Sequence, residues 1–277
     1  KTNLPTVLVE QTIMSRVFRH YVDHEAKWWL RPLLLIDVAK ISFWERYYWQ
    51  RADSLVAVSD EDAALMKAKT SGVDVEVVPN GVGEDFDALK PTLHYNHKIL
   101  YQGNYKWMQN WEAAHILATK TFPIIKKEIP DAQLIINGQF PTADLKKLAS
   151  KDILIQEHED TDSEAVVRAY SQAGLLVAPI YGPGGTRLKI LAAMKSMIPV
   201  ITTPLGAEGY GAVDGESIVV GKTPEDIAKK AIKVLKDKNL YTKIAKAARK
   251  IVDDHFSWDP IAIKLEKIYE ETIHHYR

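Results

Sequence analysis

The sequence predicts an α/β protein: one complete, doubly wound parallel-sheet domain preceded by part of a second. Two observations carry this. From about residue 98 onward, short β-rich apolar runs alternate with amphipathic helical stretches, the pattern of parallel strands joined by helical crossovers. The runs are continuously apolar rather than alternating, as expected of strands buried on both faces of a sheet.

Six runs of the complete domain read as strands: Ile99–Tyr101, Leu134–Ile136, Ile153–Ile155, Leu175–Val177, Val200–Ile201 and Ile218–Val220. Helices are expected at about 111–127, 142–149, 163–172 and 186–196, with a helical tail from 224. Two helix starts carry capping chemistry. Asn110 is placed to cap a helix opening at Trp111, and Thr223-Pro224-Glu225-Asp226 supplies a hydroxyl, a proline and two acids where a helix N-terminus favours them. Upstream, strands at Val7–Val9, Ser54–Val58 and Val75–Val78, with helices across Ile36–Arg51 and Glu61–Ala68, give too few strands for a whole domain. Pro79–Gly83 then breaks the pattern. The expected organisation is 1–80 as the residual part of an amino-terminal domain, 81–97 as a linker, 98–255 as the complete domain, and 256–277 as a closing helix returning toward the first part.

With 277 residues, 46% hydrophobic and 26% charged, the chain has ample apolar content for a core. Lys and Arg balance Asp and Glu at 36 each, so no basic surplus exists to hold a phosphate backbone, and no nucleic-acid partner is expected. The absence of cysteine excludes disulfides, thiolate metal sites and a cysteine nucleophile; it fits a reducing compartment and makes the cytoplasm the expected location. No apolar stretch reaches the roughly 18–20 residues of a membrane span. Because the chain opens on Lys1, it is treated as a fragment. If the native chain instead begins at Lys1, the sheet containing Val7–Val9 and Ser54–Val58 has an open apolar edge, expected to be covered by another chain or a second copy.

The first 50 residues hold nine of the 25 aromatics, among them Trp28, Trp29, Trp44 and Trp49, and no glycine. Core or interdomain packing is the weightier reading of this stretch. The other is an interfacial surface that meets lipid or a lipid-linked substrate.

Ligands of an open parallel sheet bind beyond the carboxyl ends of its strands. Two loops stand there: Gly103–Asn110 after the first strand of the complete domain, and Tyr181-Gly182-Pro183-Gly184-Gly185-Thr186-Arg187-Leu188-Lys189, which opens a helix. Glycines let backbone approach a ligand and free amides at a helix start attract anions, so a phosphate is the natural guest. Neither loop is a Walker sequence or a dinucleotide fingerprint, which removes support from ATPase and dehydrogenase readings. From Thr186, steps of three and four place Lys189, Ala192, Ala193 and Ser196 on one helix face, with Leu188, Leu191 and Met194 toward the other. Arg187, two positions from Lys189, is expected to point elsewhere. Lys189 is the expected phosphate contact, a solvated lysine the alternative.

These residues carry a resemblance. Gly184–Met194 followed by Ile198–Gly209 resembles the nucleotide-sugar loop of family 4 glycosyltransferases of the GT-B fold, in the branch that reads Gly-x-Arg-x-Lys-x-Leu-Glu-Ala-Met. Ala52–Ser59 resembles the family's last amino-terminal-domain segment, Val77–Val82 its entry to the linker, and Phe256-Ser257-Trp258 the start of its closing helix. The resemblance implies two Rossmann-like domains and transfer of a hexosyl group from a nucleoside diphosphate sugar, of the UDP or GDP type, usually with retention. The acceptor would be a carbohydrate or a lipid-linked molecule in polysaccharide or glycolipid biosynthesis, handled in the cytoplasm or peripherally at the inner membrane face. Neither metal nor cofactor is implied.

By the same resemblance, Gly103 and Asn104 would face the diphosphate. Gly184, Gly185 and Thr186 would face the donor sugar and phosphate, with Arg187 and Lys189 beside them, and the loop Gln156–Asp160 the base. His158, next to that loop, is carried as a nucleotide-sugar contact, with a surface histidine as the other reading. No catalytic residue is named, and acceptor residues would precede Lys1. Gly184 and Ala192 stand where the family commonly has glutamates, Asn104 where many members have Arg, and Gln11 where Glu10 is often followed by His. Ala192 forgoes a charge-assisted hydrogen bond of about 1.5–3 kcal/mol. The departures sustain a second hypothesis, a catalytically degenerate relative acting as a nucleotide-sugar-binding or interaction module. An epimerase or phosphorylase on the same fold is a third.

Overall fold

The structure, a computed structural model, describes residues 4–86, 92–159 and 162–276. Asp160 of the expected base loop, and 87–91 of the expected linker, lie outside the described residues. The chain divides into two compact units. One takes the stretch up to Gly81, Gly182–Thr186 and the stretch from Phe256 onward; the other takes Val82–Tyr181 and Arg187–His255.

In the first unit, β1 (Val7–Glu10), β2 (Ser54–Ala57) and β3 (Asp74–Val77) pair in parallel in that order, with Val7 opposite Ser54 and Ser54 opposite Asp74. Helices α1 (Met14–His24) and α2 (Arg31–Trp49) separate the first two strands, and α3 (Asp60–Lys69) the next two. Ser59 caps α3 by accepting from the Asp62 amide at 3.1 Å, with Asp60, Glu61 and Asp62 in the positive first turn and Lys67 and Lys69 in the last. Ile13, Trp49, Leu55 and Met66 form the core of this unit. The terminal helix Trp258–Tyr276 packs Ile261 and Ile268 against Val56 and Val78. α1 is not among the helices expected from the sequence; it buries Ser15, Val17, His20 and Val22.

The amino-terminal aromatics depart from the weightier expectation. Trp49 is core, but Trp28, Trp29 and Trp44 are exposed, at 76%, 57% and 50%. α2 has one fully buried residue, Trp49, at its end.

The second unit holds β4 (Lys98–Asn104), α4 (Met108–Ile116), α5 (Phe122–Glu128), β5 (Gln133–Gln139), α6 (Ala143–Lys146), β6 (Ile153–Glu157), α7 (Ser163–Gln172), β7 (Leu175–Ala178), α8 (Leu188–Lys195), β8 (Val200–Thr202), β9 (Val219–Val220), α9 (Pro224–Lys236) and α10 (Lys238–His255). The strands make one parallel sheet in the order β6-β5-β4-β7-β8-β9. The six apolar runs are these strands, and β7 is buried at every position, which is why it reads as a continuous run. Thr223 caps α9 through the Asp226 amide at 3.2 Å, with Pro224 in the first turn.

In the first unit α2 opens at Arg31 rather than Ile36 and ends at Trp49 rather than Arg51, and three helices of the second unit differ from their expected bounds. The stretch expected at 111–127 opens earlier, at Met108, and is interrupted by a π-helical turn at Leu117–Thr121. Pro123 follows that turn; it has no amide to donate and its ring crowds the carbonyl four residues back, so the ladder widens before it. α6 is one turn rather than 142–149, and α8 opens at Leu188 rather than 186. Leu188, expected on the apolar face, is 53% exposed. Among the described residues, no helix is long and apolar enough to cross a membrane.

Candidate functional site

Strand order places the candidate loops. β4 has β5 on one side and β7 on the other, so successive crossovers leave it in opposite directions. That reversal opens a crevice beyond the carboxyl ends of β4 and β7. β4 ends in Gly103 and Asn104, and the chain leaving β7 leads to Arg187 and α8.

The turn after β4 is held by backbone and amides. Gly138 has φ 146°, and a Cβ there would overlap the carbonyl oxygen of Gly103. Only glycine permits this approach of β5 to β4. The Tyr105 amide donates to the Gln139 carbonyl at 2.9 Å, the Tyr105 hydroxyl to the Asn137 carbonyl at 2.9 Å, and Asn104 Nδ2 to Gln139 Oε1 at 3.0 Å. Asn104 Oδ1 accepts from the Lys106 amide at 3.1 Å. Asn104 is thus a local organiser of the loop, its side chain already engaged.

Asn110 does not cap a helix. It lies inside α4, whose N-cap is Trp107 with no side-chain capping bond. Its Nδ2 donates to the Asn104 carbonyl at 2.9 Å, and its Oδ1 accepts from Lys189 Nζ at 2.5 Å and from the Tyr101 hydroxyl at 3.3 Å. Tertiary partners claim the amide that the local sequence assigns to a cap.

Lys189 is not a solvated lysine. Its ammonium also donates to the Tyr101 hydroxyl at 3.1 Å, and its carbonyl accepts from the Tyr170 hydroxyl at 3.1 Å. Burial of the ammonium, followed by repulsion from Arg187, lowers its pKa to about 7. Burial likewise pushes the Tyr101 and Tyr170 hydroxyls far up, so both stay neutral donors and acceptors.

Arg187 acts on Lys189 electrostatically, its charge repelling the ammonium. Arg187 is the N-cap of α8, with φ −87° and ψ 79°, so the helical step that turns its side chain away does not apply. Tyr210 fixes its backbone, its hydroxyl accepting from the Arg187 amide and donating to its carbonyl, each at 3.1 Å. Among the described residues, Arg187 Nε and Nη2 are buried without a hydrogen-bond partner, as are Gln109 Oε1 and Tyr181 Oη in the same unit. An unpaired buried guanidinium edge is costly unless an acceptor meets it.

Of the expected residues, Gly103, Asn104 and Lys189 come together through Asn110. Gly184, Gly185 and Thr186 group with the first unit, where a Cβ on Gly185 would overlap the Gln11 carbonyl oxygen and Thr186 Oγ1 is buried without a partner among the described residues. His158 is tied elsewhere. Its Nδ1 lies 2.9 Å from the Glu159 carbonyl and its Nε2 3.4 Å from Gln102 Nε2, so Nδ1 donates and Nε2 accepts. Gln102 in turn accepts from Asn137 Nδ2 at 2.5 Å. Tyr101, Tyr170 and Tyr210 are not among the site residues expected from the sequence. Tyr101 sits in an apolar strand run, and nothing local marks its hydroxyl as polar machinery.

A family model described as "Glycosyl transferases group 1" matches residues 96–237, just over half of the chain. An uncharacterized 44.6 kDa protein in the cps region of Klebsiella pneumoniae is 27% identical over 170 residues, 58% of this chain and 43% of that protein. An uncharacterized glycosyltransferase of Methanocaldococcus jannaschii is 24% identical over 224 residues, 78% of this chain and 54% of that protein. The chain spans about half the length of these curated relatives. The Anabaena protein HepE, solved with UDP and glucose, matches at a TM-score of 0.66 and 15% identity over 96% of this chain and 71% of that one, a likeness of fold, here GT-B. The segment matched by the family model contains Tyr101, Asn110, Arg187 and Lys189 together, and the chain belongs to the group 1 glycosyl transferases.

Proposed function

We propose that the chain serves transfer of a hexosyl group from a nucleoside diphosphate sugar, of the UDP or GDP type, to a carbohydrate or lipid-linked acceptor, with retention at the anomeric carbon. The observation that carries this is the Lys189–Tyr101–Asn110 cluster set against the Gly103–Asn104 turn at the point where the strand order reverses. The leaving diphosphate needs stabilisation of developing negative charge more than it needs a proton. Lys189 offers an ammonium with neutral partners, and Arg187 two unpartnered N–H groups. HepE binding UDP supports the uridine type.

Calorimetric titration with UDP-, GDP- and ADP-sugars tests this. A UDP- or GDP-sugar binds, and Lys189→Ala weakens it about tenfold, the loss of one charged hydrogen bond. Absence of heat from all three at millimolar concentration overturns it.

Ala192 favours a second reading. It is 6% exposed, at the position where the resemblance places a ribose-binding carboxylate. A degenerate binding module would hold the donor without turnover, and Ala192→Glu would then raise affinity without restoring transfer. On the acceptor side, we read the cytoplasm with peripheral contact at the inner membrane face as the working location. The exposed Trp28, Trp29 and Trp44 suit an interface with a lipid-linked acceptor. Co-sedimentation with anionic vesicles, lost on Trp28→Ser and Trp29→Ser, checks it.

A further inference from the structure

Asn110 reaches three different parts of the second unit with one short side chain. It lies on the bare face of Gly103, where an added Cβ would stand 3.1 Å from Asn110 Cγ and 3.2 Å from its Cβ. Its amide nitrogen ties down the carbonyl that closes β4, at Asn104, and its oxygen receives both the Lys189 ammonium and the Tyr101 hydroxyl. An amide is suited to this in a way a carboxylate is not. It supplies a donor and an acceptor at once, and its neutral oxygen orients a cation without cancelling its charge.

We propose that Asn110 is a positioning residue, which holds the Lys189 ammonium against the Gly103–Asn104 backbone and leaves its charge for an incoming phosphate group. The inference rests on the glycosyl-transfer reading for its ligand, but the contact itself does not. The groups facing Lys189 are Tyr101 from β4, Tyr170 from α7 and Arg187 ahead of α8, with Tyr105 beside Tyr101 and Tyr170, and Glu112 of α4 acting on Tyr101. None of these places a carboxylate on the ammonium, so Asn110 is its closest oxygen partner among the bonds described.

The test is a double-mutant cycle on the full chain, with UDP affinity read by calorimetry and the Lys189 titration read by NMR of lysines labelled biosynthetically with 13C at Cε. Asn110→Ala weakens UDP about tenfold in the wild-type background but less than about twofold in Lys189→Met, because the effect runs through Lys189. Asn110→Asp, isosteric and anionic, raises the Lys189 midpoint by about one unit or more. Equal losses in both backgrounds, or a midpoint unmoved by Asn110→Asp, overturn the proposal. Should wild-type protein bind neither UDP nor any of the three nucleotide sugars, the glycosyl-transfer reading fails, and the NMR midpoint still decides whether Asn110 holds Lys189.

Discussion

The Lys189 ammonium stands 4.5 Å from the ring centroid of Tyr101 and donates to the hydroxyl of that same ring at 3.1 Å. One aromatic side chain thus meets the cation with both its face and its oxygen. The face favours the charged form, yet burial prevails and the pKa falls to about 7. The lysine therefore changes charge near neutrality.

A lysine depressed from 10.5 to about 7 binds its proton less tightly in the folded than in the unfolded state. Between those values the unfolded chain carries more protons, so folding stability rises with pH across that window. Below about pH 7 the cost of the buried charge is fully present. Lys189→Met removes it, so urea unfolding of that variant at pH 6 and pH 9 shows a smaller pH dependence than wild type.

An anionic ligand favours the charged form of Lys189 and raises its pKa. UDP binding at pH 8 is accordingly coupled to uptake of up to about one proton, seen as a dependence of calorimetric heat on buffer ionisation enthalpy. Lys189→Met abolishes the uptake.

Gly138→Ala forces a side chain onto the Gly103 carbonyl at a φ that non-glycine residues rarely adopt. Stability falls by about 2–4 kcal/mol by urea titration. The displaced β4 end also lowers UDP affinity in the fraction that remains folded.

In the first unit, burial raises the Glu10 pKa above 4.5, opposed by a hydrogen bond from Trp49 Nε1 at 2.8 Å and reinforced by Glu45. The folded state then binds this proton more tightly than the unfolded one, and stability falls as pH rises from 4.5 through the folded value. Glu10→Gln keeps an acceptor for Trp49 without the charge. It is more stable than wild type at pH 7, and the difference vanishes at pH 4.

β4, β5, β7 and β8 were legible because parallel strands covered on both faces must be apolar at successive positions, as Leu175–Ala178 is. The cap at Thr223 was legible because its partner, the Asp226 amide, is three residues away. Asn110 was misread for the converse reason. Its partners are Asn104, Tyr101 and, 79 residues on, Lys189. Periodicity placed Lys189 on a helix face but could not show that Tyr101, 88 residues earlier, would draw its ammonium inward.

The reversal of strand order at β4 also has a cost in time during synthesis. β5 follows β4 promptly, but β7, which closes its other edge, begins about seventy residues after β4 ends. At about 5–20 residues per second, that edge waits roughly 4–14 s on the ribosome, exposing Ile99 and Leu100 to any passing strand. The arrangement that opens a crevice for a ligand thereby makes the nascent domain dependent on prompt completion or on a chaperone.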